Sequence, residues 1–143
     1  RQMCIRDRLY RVGLKKTNNV QWFHASNNFS GMGTKVIGTF CSYLSYQYFV
    51  DREKYIIGFM NMSKEIPGFG KLSKDYVKVS ARVPKELKKE INEKRKKPLS
   101  FLLPEACKKV GGFGDGHAYA ASGIIPKGEE EKFIEVFESL VKS

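Results

Sequence analysis

Aspartate occurs in this chain only at Asp7, Asp51, Asp75 and Asp115, and histidine only at His24 and His117. None of them falls in a DxD spacing or clusters with the others, so a carboxylate and imidazole cage for a divalent metal cannot be assembled. Cysteine is as scarce. Cys4, Cys41 and Cys107 are odd in number, far apart and without a CxxC pair, which argues against a disulfide framework or a zinc knuckle and fits a reducing cytoplasm. No apolar run approaches the roughly 20 residues that cross a bilayer, so no membrane partner is expected. Two phosphate motifs are missing as well. Gly112, Gly114 and Gly116 are too evenly spaced for GxGxxG, and around Gly31, Gly33, Thr34 and Lys35 the threonine precedes the lysine, the reverse of a P-loop.

What is abundant is positive charge. Lys and Arg total 26 against 15 for Asp and Glu, a formal net charge of +11 and a pI near 9.6. Such a field favours polyanions, because each neutralised phosphate releases condensed counterions, so nucleic acid is the first partner to consider. A solvated basic surface has the same composition, and charge alone does not choose between them. With 143 residues, 41% of them hydrophobic, the chain matches one globular domain. Arg1 to Asp7 is neither a signal-peptide core nor a transit sequence and resembles translated adaptor read-through. Residues 1–8 are therefore set aside as a non-native leader, with the domain at 9–143 and the true start expected upstream.

Alternation and helical spacing predict the elements. Leu9 to Leu14 and Val20 to His24 read as strands around a turn at Thr17 to Asn19. Val36, Ile37, Phe40, Tyr43, Leu44 and Tyr48 give a helix over Thr34 to Gln47, capped by Thr34. Tyr55 to Met62 reads as a buried strand, and Tyr76 to Val83, closed by Pro84, as its neighbour across a loop with Pro67, Gly68 and Gly70. Lys85 to Lys97 reads as a short exposed helix and a basic loop, either a solvated face or a nucleic-acid contact. Leu99 to Val110 is a helix ended by Gly111, Ser122 to Pro126 a brief strand, and Glu129 onward a closing helix with Phe133, Phe137, Leu140 and Val141 on one face. The class is α/β (α+β), with one central mixed sheet flanked by helices. His24 and the thiols of Cys41 and Cys107 read as structural. Trp22, Phe113 and Tyr119 are the aromatics that would stack on a base if exposed.

Gly111, Gly112, Gly114 and Gly116 crowd the stretch that leads through Asp115 to His117. Glycines at this density let backbone approach a ligand, and a following helical turn would aim N–H groups at phosphate. A helix cap running into a tight turn also explains them, and taken alone is the stronger reading.

The string Gly111 to Gly123, GGFGDGHAYAASG, resembles the GGGH...AAG signature of the DHHA1 domain, the C-terminal partner of the DHH phosphoesterase domain. Ser80, Ala81 and Arg82 resemble its SxR strand motif. The fuller wording is most similar to archaeal RecJ-like single-strand-specific exonucleases, and the likeness runs from about Val20 to Val141. It implies a missing N-terminal DHH domain that binds two divalent metals, Mn2+ or Mg2+, and cleaves phosphodiesters of single-stranded DNA or RNA. This chain would bind no metal and be inactive alone. It would supply the opposite wall of the cleft, with Ser80, Arg82, Gly111, Gly112, Gly114, Asp115, Gly116, His117 and Ala121 around phosphate. Asp115 departs from the pattern, since glycine is usual there and a carboxylate repels phosphate. The implied partners are single-stranded nucleic acid, the DHH domain and replication or repair proteins. Three alternatives remain: a DHH phosphatase of small nucleotides or cyclic dinucleotides, a non-catalytic RNA-binding module as in alanyl-tRNA synthetase relatives, and an inactive replication scaffold.

Overall fold

The computed structural model describes residues 14–25, 36–62, 65–66, 70–71 and 75–143. The leader, the Thr34 cap, most of the Leu9 to Leu14 run and the residues around Pro67 and Gly68 lie outside them. The strands are β1 (Lys15–Lys16), β2 (Val20–His24), β3 (Tyr55–Asn61), β4 (Glu65–Ile66), β5 (Gly70–Lys71), β6 (Tyr76–Arg82), β7 (Phe113–Gly116) and β8 (Ala120–Pro126). The helices are α1 (Val36–Leu44), α2 (Lys85–Asn92), α3 (Leu99–Lys109) and α4 (Glu130–Lys142). Six strands form one sheet in the order β1-β2-β3-β6-β8-β7, and β4 and β5 make a separate ribbon. Among the described residues only the β2–β3 pair of the large sheet is parallel, which makes it mixed. Parallel neighbours need a crossover, and α1 lies between them in the chain.

Each helix covers a particular part of the sheet because apolar residues alternate along the strands. Val77, Val79 and Ala81 of β6, with Ile57 and Phe59 of β3 and Ile125 of β8, turn to one face, where α2, α3 and α4 bury Leu87, Leu102, Leu103, Phe133 and Phe137. On the other face Phe23, Ile56 and Met60 meet Ile37, Cys41 and Leu44 of α1. Gly58 lets α1 sit close, since a Cβ there would lie 2.6 Å from Phe23 Cζ and 2.7 Å from Cys41 Sγ. Burial pushes both the Cys41 and the Cys107 thiol up to about 12, as expected of inert core cysteines.

Polar side chains tie the edges down. Buried Gln21 donates to the Asp51 carbonyl at 2.7 Å and accepts the Asp51 amide at 2.8 Å, which anchors the turn before β3. His24 Nε2 lies 2.8 Å from Glu130 Oε2 and so joins β2 to α4, in line with a structural role. Glu138 accepts from Thr17 Oγ1 at 2.5 Å and from both the backbone and side-chain nitrogens of Asn19 at 2.7 Å, clamping α4 to the β1–β2 turn.

Partial burial opposes ionisation of Glu138, but the bonds from Thr17 and Asn19 and the nearby Lys142 overcome it and hold its carboxyl below the usual range. A carboxyl lowered in the folded state adds stability above its unfolded value, ~4.3, and loses that contribution as pH falls. Glu138→Gln should therefore cost about 1 kcal/mol near neutral pH, solvent screening limiting the effect, and the gap from wild type should narrow on acidification. Urea titrations across the acid range check this.

Candidate anion site on the open sheet face

Strand β6 places the site. Its odd residues Val77, Val79 and Ala81 enter the core, so Lys78, Ser80 and Arg82 share the opposite face. Register carries that face outward: Arg82 pairs with Ala120, Ser80 with Ser122 and Lys78 with Ile124. Beyond them on β7 stand Asp115, opposite Ser122, and Phe113, opposite Ile124. On this face α1 packs on β3 and β6 and stops there, leaving β8 and β7 without a covering helix among the described residues.

Where α1 borders the open half, a cleft of about 400 Å³ is lined by Gly38, Thr39, Ser42, Lys78, Ser80, Arg82 and Ser122. Arg82 is held there by neutral groups. Its Nε donates to Ser42 Oγ at 2.9 Å, and its Nη1 donates to the Ala81 carbonyl at 2.7 Å, Ser80 Oγ at 3.3 Å and the Ala121 carbonyl at 3.4 Å. Nη2 makes no hydrogen bond among the described residues. Lys78 Nζ reaches Ser122 Oγ at 3.5 Å. Burial, and then the charge of Arg82, lowers the Lys78 amine from its ordinary value. Two cations thus converge on one cleft whose lining contains no carboxylate. The cleft near Asn18 differs, because its Arg52 is already paired with Glu86 at 3.0 Å. Two cations and several hydroxyls can hold an oxyanion such as phosphate, Arg82 through its planar fork.

Of the residues singled out from the sequence, Ser80 and Arg82 come together here. Ala121 does not line the cleft. Its side chain is buried on the opposite face beside Gly116, and only its carbonyl reaches Arg82. The glycine cluster runs into a strand, and the helical turn expected to follow it is absent from residues 117–119, which lead straight into β8. Gly111, at φ +91°, ends α3 and Gly112 N–H returns to the Cys107 carbonyl at 2.8 Å. Gly114 faces α3, where a Cβ would lie 2.8 Å from Leu103 Cδ2, and a Cβ on Gly116 would lie 2.4 Å from Ala121 Cα. Helix packing and the β7–β8 hairpin account for these glycines without a ligand. His117 is exposed at the hairpin tip, its N–H bonded to the Ala120 carbonyl at 2.7 Å, and Asp115 Oδ1 accepts the Gly116 N–H at 2.8 Å. Neither lines the cleft.

Sequence reasoning missed Lys78, Ser42, Ser122 and Gly38. Lys78 was legible as the first of three polar residues alternating with valine and alanine in KVSAR; the others come from the remote pairing of α1 and β8 with β6. For the metals implied by the family resemblance, the donor set does not fit. Among the described residues no group of three His, Cys, Asp or Glu could hold a metal ion.

Gly38 offers a direct test of the cleft. A Cβ there would lie 2.8 Å from Arg82 Nη2 and 3.1 Å from Ser80 Oγ, so a methyl displaces the guanidinium, while alanine is the better helix former. Gly38→Ala should leave the melting temperature unchanged or higher yet weaken tripolyphosphate binding about tenfold, read by calorimetry.

Comparison with known proteins agrees with this architecture. The family model described as the DHHA1 domain matches residues 29–143. No curated protein matches the chain. Among solved structures, the C-Ala domain of alanyl-tRNA synthetase from Aquifex aeolicus is similar, with a TM-score of 0.62 at 10% identity, over 91% of this chain and 98% of that one. A structure described as the DHH domain of a member of a family of ribosomal proteins gives a TM-score of 0.50 at 15% identity and covers 90% of this chain but 27% of that one. At such identities both likenesses speak to fold alone. The family match takes in α1, β3, β6 and the β7–β8 hairpin, every element that builds the cleft, and the chain belongs to the DHHA1 domain family.

Proposed function

We propose that this chain grips the phosphate backbone of single-stranded nucleic acid, as the C-terminal part of a DHH phosphoesterase of the RecJ-like exonuclease kind. The observation that carries the reading is the convergence of Lys78 and Arg82 on a cleft whose lining has hydroxyls and no carboxylate. Held close by neutral partners, the two cations repel each other, and an oxyanion relieves that repulsion. The net charge of +11 draws a polyanion toward the cleft. Hydrolysis, and the Mn2+ or Mg2+ it needs, would belong to a preceding DHH domain. The fold likeness to the C-Ala domain of a synthetase favours a second reading, a non-catalytic RNA-binding module. The upstream coding sequence separates them: aspartate-rich DHH motifs indicate a hydrolase, and synthetase or editing motifs the RNA-binding module.

Fluorescence anisotropy with short single-stranded oligonucleotides tests the grip. Lys78→Ala and Arg82→Ala should each weaken binding about tenfold, and each should flatten the salt dependence by roughly 0.7 in the log–log slope. His117→Ala, at the hairpin tip, reports whether the site extends beyond the cleft. Undiminished binding by both the Lys78 and Arg82 variants sinks the proposal. The lowered Lys78 amine adds a pH signature, since binding needs the ammonium form. Affinity should decline as pH rises through that lowered value, and Lys78→Arg should abolish the decline.

A further inference from the structure

We propose that Phe113 is a nucleobase platform: with a phosphate held at Lys78 and Arg82, the adjoining base stacks on the Phe113 ring. The inference rests on the nucleic-acid reading above and deepens it, because it makes the preferred ligand a base-bearing strand and not phosphate alone. Phe113 is 70% exposed, although it sits inside a paired strand and not in a loop. Its neighbours in β7 are Gly114, Asp115 and Gly116, so it is the one large side chain of that strand. Because Gly114 faces α3, Phe113 points to the open side, where its ring has no aromatic partner among the described residues.

Register places it beside the anion site. Phe113 pairs with Ile124, which pairs with Lys78, so the three form one row across β7, β8 and β6 on the same face. Two strand spacings separate Phe113 from Lys78, about 10 Å between backbones. The Lys78 amine narrows that gap by leaning to Ser122 Oγ on β8. A phosphate at this amine and a base on this ring are within the span of one nucleotide. The other aromatics singled out from the sequence lack these properties. Trp22 is buried, and the Tyr119 ring is faced by the Lys88 ammonium at 5.4 Å while its hydroxyl bonds to Asn92. A cationic groove flanked by a bare aromatic face is what sequence-tolerant single-strand binding requires, since every base has a π-face.

The test compares a deoxythymidine oligomer with an abasic oligomer of equal length and charge, by anisotropy, on wild type, Phe113→Ala and Arg82→Ala. Phe113→Ala should weaken binding of the thymidine oligomer about five- to hundredfold and leave the abasic oligomer unaffected, whereas Arg82→Ala should weaken both. Phe113→Trp should retain affinity and give indole fluorescence quenched by the thymidine oligomer but not by the abasic one, with buried Trp22 as a constant background. Equal losses on both oligomers in Phe113→Ala, or no loss on either, overturn the platform while leaving the anion site standing. Failure of wild type to bind either oligomer overturns the nucleic-acid reading and the platform with it.

Discussion

The candidate anion site depends on β6 being paired on both sides. Its seven residues are matched from Tyr76 to Arg82 with β8, and all but Tyr76 are matched with β3. A strand held this way cannot slip by one residue without exchanging its faces. Such a slip would turn Lys78, Ser80 and Arg82 into the core and expose Val77, Val79 and Ala81. The hydrophobic requirement of one face thus sets the address of every polar group on the other, and the position of the cationic pair is a by-product of core packing.

The helices and the central strands were readable because their signals are local. Tyr55 to Met62 and Tyr76 to Val83 appear within a residue or two of their predicted bounds and pair as neighbours, and the closing helix buries Phe133 and Phe137 as its periodicity requires. Strand β7 was not readable. Three of its four residues are Gly114, Asp115 and Gly116, types that disfavour strands, and only pairing with β8 makes it one. The small size of these glycines serves contact with Leu103, Cys107 and Ala121. The candidate site was half legible. Ser80 and Arg82 carry a motif; Ser42 and Ser122 contribute only because α1 and β8 flank β6, about 40 residues away in either direction.

Placing two cations together has a thermodynamic character of its own. Arg82 is positioned by serine hydroxyls and main-chain carbonyls, which orient a guanidinium without cancelling its charge. A carboxylate in the same place would pair with the two cations and cancel their field. With no carboxylate in the lining, the field of the two cations is left uncancelled within the cleft.

The composition of β7 has a further consequence for life in a crowded solution. A terminal strand offers its outward amides and carbonyls to any passing extended chain, and a long, flat, β-branched one would invite sheet-to-sheet polymerisation. Here that border is four residues long, half glycine, with the Asp115 carboxylate folded onto the Gly116 amide and α3 packed beneath. It is a poor template for cross-β growth. The residue that departs from the phosphate-binding pattern thereby also puts a charge on that border.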